Sequence, residues 1–121
     1  MKAIIVSMLV AASLMFAGSA LAEDMPPLAK ASKCTSCHTI DKKLVGPAWK
    51  DVAAKYRNGE PMSAKLANGT VVTGTPAEVL PQKVCDGGSG NWGTMPMPSN
   101  CKAGVSKESI AELVTYILGL K

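Results

Sequence analysis

The stretch "CTSCH", Cys34 to His38, carries more structural information than any other part of the sequence. It matches C-x-x-C-H, the pattern by which a haem is attached covalently to a polypeptide. On a helical turn the sulfurs of Cys34 and Cys37 point to the same side, where they can form thioethers with the two vinyl groups of one porphyrin edge. His38 follows directly and is the only histidine of the chain, which makes it the candidate proximal iron ligand. The motif predicts one covalently bound haem c.

Three other uses of these cysteines are open at this point. A thioredoxin-type redox site would need a strand–helix α/β setting, and the sequence does not predict one. A structural zinc site would need four close ligands, so folding would have to bring Cys85 and Cys101 to the motif. Two ordinary disulfides are the third use. The adjacent histidine and the export signal described next favour haem.

Residues 1–22 read as a secretory signal peptide, with Lys2 before an apolar run and Ala20-Leu21-Ala22 as a small-x-small cleavage site. An uncleaved anchor is the alternative, since the apolar run is nearly long enough to span a bilayer. We expect cleavage and a single periplasmic domain over residues 23–121, with no membrane span. All four cysteines fall in this exported part, where disulfides persist.

The amino-acid composition excludes one class of partner and indicates that the domain needs a cofactor for stability. The net charge of +4 at pH 7 is mild and the lysines are spread along the chain, so we expect no nucleic acid partner. The only phenylalanine, Phe16, lies in the signal, and the mature aromatic residues are Trp49, Tyr56, Trp92 and Tyr116. A domain this small with so few large apolar side chains needs help to bury enough surface.

Capping signals and apolar periodicity predict mostly helices. Asn68-Gly69 predicts a short hairpin near residues 65–73, and the glycines and prolines of residues 86–104 predict a loop. Pro81 is expected to shorten or kink the third of four helices. The predicted helices cover residues 25–37, 47–57, 76–85 and 107–118.

The second axial ligand of the iron cannot be a histidine, so methionine, lysine or an open site remain. Met25 and Met62 are more simply surface or gap-filling side chains. Met95 and Met97 lie in a loop well separated from His38, as a ligand on the opposite face must. Each precedes a proline and is therefore extended, so at most one of them should bind iron.

Four stretches resemble the class I cytochromes c of the small bacterial cytochrome c-551 group, over residues 25–57 and 82–121. This resemblance implies an all-α fold of three to four helices wrapped around one covalently bound haem. It also implies roles for three side chains and one carbonyl: Met97 as the axial ligand, Met95 in apolar packing, the Pro47 carbonyl accepting from His38, and Trp92 donating to a haem propionate. Pro47 as a helix start and Trp92 as a core aromatic are the simpler alternatives. The stretches are "CTSCH", "LVGPAWKDVAAKY", "NWGTMPMPSN" and "VSKESIAELVTYIL".

Two parts of the chain depart from the family pattern. Residues 58–75 contain the predicted hairpin, and Cys85 and Cys101 have no counterpart in the family. In an exported protein these two cysteines most simply form a disulfide around the loop that carries Met97, with free thiols as the alternative.

With both axial positions filled, the iron has no open site, so we predict a monomeric one-electron carrier and not an enzyme. Redox proteins would be its transient partners, and Lys42 and Lys43 are candidates for steering acidic partner surfaces. If Met97 does not bind iron, an open-site enzyme or sensor becomes the alternative. A haem subunit of a larger sulfur- or nitrogen-oxidising complex is another, in which residues 58–75 would be a docking element.

Overall fold

A computed structural model describes residues 24–121, so the predicted signal peptide lies outside the described residues. The described part contains four α-helices, one 3₁₀ turn and a two-stranded antiparallel sheet. The expected small helical fold with a hairpin is therefore confirmed. In chain order the elements are α1 (Pro27–Ala31), the 3₁₀ turn (Cys34–Ser36), α2 (Trp49–Tyr56), β1 (Met62–Lys65), β2 (Val71–Gly74), α3 (Pro76–Asp86) and α4 (Lys107–Leu118).

The segment that carries the motif is not one helix, so the prediction of a helix through residues 25–37 is wrong. α1 ends at Ala31, and Lys33 adopts a left-handed conformation with φ of 59° before the 3₁₀ turn begins at Cys34. A 3₁₀ turn has about three residues per turn, so side chains three positions apart eclipse one another. The break therefore stacks Cys34 and Cys37 more directly than a continuous α-helix would.

Helices α2 and α4 build the main core. α4 has the predicted bounds, and the Ser106 hydroxyl caps it by accepting from the Ser109 N–H at 3.1 Å. Its apolar stripe packs on the buried face of α2, where Trp49 is 3% exposed and Ala53 is fully buried. The buried residues that the two helices share in this core are Trp49, Val52, Ala53, Tyr56, Leu113 and Ile117. Ile110 and Val114 of α4 pack with Cys85 of α3.

Pro81 does not interrupt α3, contrary to expectation. The helix runs without a break for 11 residues from Pro76 to Asp86. Its start is secured by Glu78, whose carboxylate accepts from the Thr75 N–H at 3.1 Å. Pro81 removes only the hydrogen bond to the Ala77 carbonyl, and Ala77 is exposed, so water can take its place.

The hairpin lies against α3. β1 and β2 pair in antiparallel register from Met62–Gly74 to Lys65–Val71, and Gly69 supplies the positive φ that the connecting turn needs. Ala64 is buried while Ser63 and Thr73 are exposed, so one face is turned to the protein and the other to solvent. The strands at residues 62–65 and 71–74 lie close to the hairpin that the sequence predicted near residues 65–73.

The described residues give no sign of a membrane-spanning segment. Between residues 24 and 121, none of the helices combines the length and the apolar character that crossing a bilayer requires.

Candidate haem site

One apolar cavity brings most of the predicted site residues together. Its walls come from the motif, from α2, α3 and α4, and from the loop around residues 88–98. Met62 and Met95 also line it, whereas Met25, Cys85 and Cys101 do not. The predicted haem-binding residues on its walls are Cys34, Cys37, His38, Pro47, Trp92 and Met97.

The first wall is the histidine side, by which we mean residues 34–49. His38 Nδ1 lies 2.8 Å from the Pro47 carbonyl oxygen, the contact that the family resemblance implies. A carbonyl oxygen can only accept, so Nδ1 must carry the proton and donate it. The lone pair is then on Nε2, which is the tautomer that a ring nitrogen needs in order to bind a metal ion.

Gly46 holds the His38 ring from the other side. Its N–H donates to the Cys37 carbonyl at 2.7 Å, which closes the loop that follows the motif. A Cβ atom at this position would come within 2.5 Å of the ring carbon Cε1 of His38. The ring therefore rests against bare backbone, and only glycine leaves room for it there.

The two motif cysteines are free thiols and are half-buried. Burial raises the pKa of the Cys34 thiol, an effect larger than that of its backbone hydrogen bond, which lowers it. Before haem attachment, burial thus favours the neutral thiol of Cys34 over the thiolate.

The opposite wall is the methionine side, residues 84–101. Met97 forms a two-hydrogen-bond bridge with Gly88: its N–H donates to the Gly88 carbonyl at 3.0 Å, and its carbonyl accepts from the Gly88 N–H at 2.9 Å. Met97 is half-buried, whereas Met95 is 61% exposed. Met95 also lines the cavity, so its apolar packing against a haem stays a prediction.

Residues 99–101 are attached to the end of α3. The Ser99 hydroxyl donates to the Cys85 carbonyl at 2.9 Å, and the Asn100 side chain donates to the Val84 carbonyl at 3.0 Å. These two carbonyls belong to the last turn of the helix, which has no helical partners for them. Cys85 and Cys101 are joined by a disulfide with an S–S distance of 1.98 Å. The strand that carries Met97 is thus tied to α3 by both main-chain and covalent links.

Trp92 lies at the rim of the cavity and not in the core. Its side chain is 39% exposed, and its ring meets Tyr56 edge to face with centroids 6.2 Å apart. The Lys55 ammonium lies 4.6 Å from the Trp92 centroid, within cation–π range. Within the protein alone it is Trp49, at 3% exposure, that is the core aromatic, and the role of Trp92 towards a propionate stays a prediction.

Lys83 lines the cavity and was not singled out from the sequence. It is 8% exposed and is the only charged residue that is buried among the described residues. Its ammonium donates to the Lys65 carbonyl at 2.6 Å, and burial lowers its pKa. The signal in the sequence was its place one helical turn after Val79, on the buried face of α3.

These residues fit a haem c. Two thiols stand on one turn, an imidazole presents a free Nε2, and a thioether lies on the opposite wall of an apolar cavity. They do not fit a zinc centre, because in residues 24–121 no three His, Cys, Asp or Glu side chains come close enough to share a metal ion.

Comparison with known proteins agrees with this geometry. The family model for cytochrome c matches residues 17–121. Cytochrome c-551 of Allochromatium vinosum is 45% identical over 104 residues, which cover 86% of this chain and 92% of that protein. Cytochrome c-551 of Stutzerimonas stutzeri is 35% identical over the full length of both chains.

A solved structure supports the same assignment. The crystal structure of cytochrome c552 from Nitrosomonas europaea superimposes with a TM-score of 0.62 at 38% identity, covering 78% of this chain and 96% of that one. The chain belongs to the cytochrome c family, whose members carry one covalently attached haem c.

Proposed function

We propose that this protein is a periplasmic one-electron carrier whose single haem c is attached at Cys34 and Cys37 and bound axially by His38 and Met97. A small monohaem electron carrier is the activity that its family supports. The observation that carries the finer proposal is that both thiols, the imidazole and the Met97 thioether line one apolar cavity.

Different residues of the chain would hold the iron and the rim of the haem. The Pro47 carbonyl fixes the His38 ring with Nε2 free for the iron, and Gly46 leaves space for that ring. Met97 would supply the neutral thioether from the other wall, a ligand that favours a high reduction potential. Trp92, at the rim, is the proposed donor to a propionate.

A bound haem supplies one-electron chemistry between Fe(II) and Fe(III). With His38 and Met97 in both axial positions, no site is left for a substrate, so we propose that the protein is not an enzyme. The apolar walls exclude water from the ligands, which favours fast transfer because little solvent must reorganise.

The surface beside the motif offers a docking site for redox partners. Lys42 and Lys43 are exposed, and the next two residues, Leu44 and Val45, are 51% and 47% exposed. Val45 also lines the cavity. An apolar patch bordered by positive charge suits transient contact with an acidic partner, which the lysines would attract from a distance.

This docking proposal predicts a salt dependence. We expect the bimolecular electron-transfer rate with an acidic partner to fall as ionic strength rises, because salt screens the lysine charges. The variant Lys42→Gln/Lys43→Gln should be slower at low salt and less sensitive to it. Lys102→Gln/Lys107→Gln, at exposed positions before and at the start of α4, is the matched control. Equal salt dependence of both double variants would count against this patch.

Iron ligation is tested by the near-infrared absorption band of the methionine–iron bond in the oxidised protein. We expect wild type and Met95→Ala to show the band and Met97→Ala to lose it. Loss of the band in Met95→Ala alone would assign the ligand to Met95. A wild-type spectrum without the band would favour an open iron site.

Export and processing are tested separately by fractionating the cells that make the protein. We expect the haem-containing chain in the periplasmic fraction, with an intact mass that corresponds to a chain starting at Glu23. A chain that keeps residues 1–22 and stays with the membrane would support the anchor alternative.

A further inference from the structure

The hairpin, residues 62–74, reaches the methionine side at one point. The contact joins three elements: the end of β1 with the turn that follows it, the buried lysine of α3, and the loop residue that pairs with Met97. Gly88 lies at the centre of this contact.

Gly88 is packed on both edges of its backbone. On one edge its N–H and carbonyl form the two hydrogen bonds to Met97. On the other edge, a Cβ atom would lie 2.9 Å from the Ala67 nitrogen and 3.0 Å from the Leu66 carbonyl carbon. Its φ of 113° also lies in the region that favours glycine. The hairpin therefore backs the Met97 segment with only a single layer of backbone between them.

Lys83 completes the contact from the helix. Its ammonium donates to the Lys65 carbonyl at the end of β1, at 2.6 Å. The same nitrogen would lie 3.1 Å from a Cβ atom on Gly88. Lys83 thus fixes the distance between α3 and the hairpin at the point where Gly88 is inserted.

We propose that Gly88 and Lys83 are positioning residues, which brace the Met97 segment against the hairpin and so hold its thioether at the iron. This inference rests on the proposed ligation by Met97. A neutral thioether is a weak ligand, so the protein around it decides how much of the time it is bound. In this chain the hairpin supplies part of that support.

The binding of an added ligand measures how firmly Met97 is held at the iron. Imidazole competes with Met97 for one axial position, and its apparent affinity rises with the fraction of molecules in which Met97 has left. A variant that weakens the brace should therefore bind imidazole more tightly and lose part of the methionine–iron band. A variant that only destabilises the fold should do neither under native conditions.

The first test compares two glycine variants of the holoprotein. Gly88→Ala places a methyl group against the hairpin, whereas Gly104→Ala meets nothing within 4 Å, although Gly104 also has a positive φ, of 95°, and does not line the cavity. Both variants carry a similar backbone penalty, so the contact is what differs between them. We expect a weaker methionine–iron band, a lower reduction potential and tighter imidazole binding for Gly88→Ala, with Gly104→Ala close to wild type.

The second test removes the side-chain link and avoids a steric clash. Lys83→Leu loses the hydrogen bond to the hairpin, and Lys65→Leu removes the same charge at an exposed position of β1. We expect Lys83→Leu to bind imidazole on the order of fivefold more tightly, the effect of one lost hydrogen bond, and Lys65→Leu to bind it as wild type does.

Failure of this inference can be told apart from failure of the proposed function. If Gly88→Ala and Lys83→Leu bind imidazole no more tightly than their controls while Met97→Ala loses the band, the brace is wrong and the ligand is right. If Met97→Ala keeps the band, the ligand assignment itself is wrong and the brace has no role.

Discussion

The two walls of the haem site are built in different ways. On the histidine side, the two thiols, His38, Gly46 and Pro47 all come from one short stretch, and their contacts are local. On the methionine side, Met97 pairs with Gly88, which packs against the hairpin, and the residues that follow Met97 bond to α3. The proposed strong ligand, His38, is thus positioned by local sequence, and the proposed weak ligand, Met97, by tertiary contacts. Perturbations of the tertiary structure should therefore affect the methionine side first.

The largest expected effect comes from removing haem attachment, which both walls require. We expect Cys34→Ala/Cys37→Ala to lose cooperative unfolding, because burial of the apolar haem surface is worth on the order of 10 kcal/mol, about the whole stability of such a domain. Thermal melting followed by far-ultraviolet circular dichroism is the measurement. Thr35→Ala/Ser36→Ala, at the exposed positions of the same turn, is the control. Cooperative melting of the cysteine variant would show that the helices form a stable fold without haem.

Breaking the disulfide should affect the methionine side and leave the histidine side unchanged. Cys85→Ala/Cys101→Ala opens a loop with a sequence separation of 16 residues, which loop-closure entropy values at about 3 kcal/mol. We expect a lower free energy of unfolding in urea and a weaker methionine–iron band, while the haem stays attached and bound by His38. An unchanged band would mean that the hydrogen bonds from residues 99–101 to α3 suffice to hold the loop.

A smaller effect is expected on the histidine side. Gly46→Ala pushes a methyl group into the His38 ring and should cost about 2 kcal/mol in unfolding free energy, with a shift in reduction potential. Gly119→Ala is the matched control, because its Cβ atom would meet only ordinary contacts at 3.5 Å. If both variants unfold alike and have the wild-type potential, the close packing of Gly46 does not determine the ring position.

The same contrast explains what the sequence could predict. The bounds of α4 follow from the Ser106 cap and an apolar stripe, and the His38–Pro47 contact from a stretch that resembles a known family. These are local signals. The helix of the motif was predicted too long because nothing in the sequence indicates that the backbone of Lys33 is left-handed. The prediction that Pro81 shortens or kinks α3 was wrong. The effect of a proline depends on whether the carbonyl that loses its hydrogen bond is exposed to water.

The support for Met97 could not be predicted in the same way. The proposed roles of Gly88 and Lys83 depend on their contacts with residues 65–67, which are distant in the chain. The pairing of Cys85 with Cys101 was predicted only because the export signal made a disulfide the simplest use of two remaining cysteines. Long-range contacts of this kind need the folded chain before they can be seen.

The four cysteines must reach two different chemical states, two as thiols that react with haem and two as a disulfide. If the haem is attached as proposed, Cys34 and Cys37 must remain thiols until they react with its vinyl groups, whereas Cys85 and Cys101 are oxidised to the disulfide that the structure contains. On the proposed export, both events would take place in the same oxidising compartment, which would also join the motif cysteines to each other or to the wrong partner. The proposed haem attachment would therefore require the cell to supply a reductant for the motif cysteines and an oxidant or isomerase for the other pair.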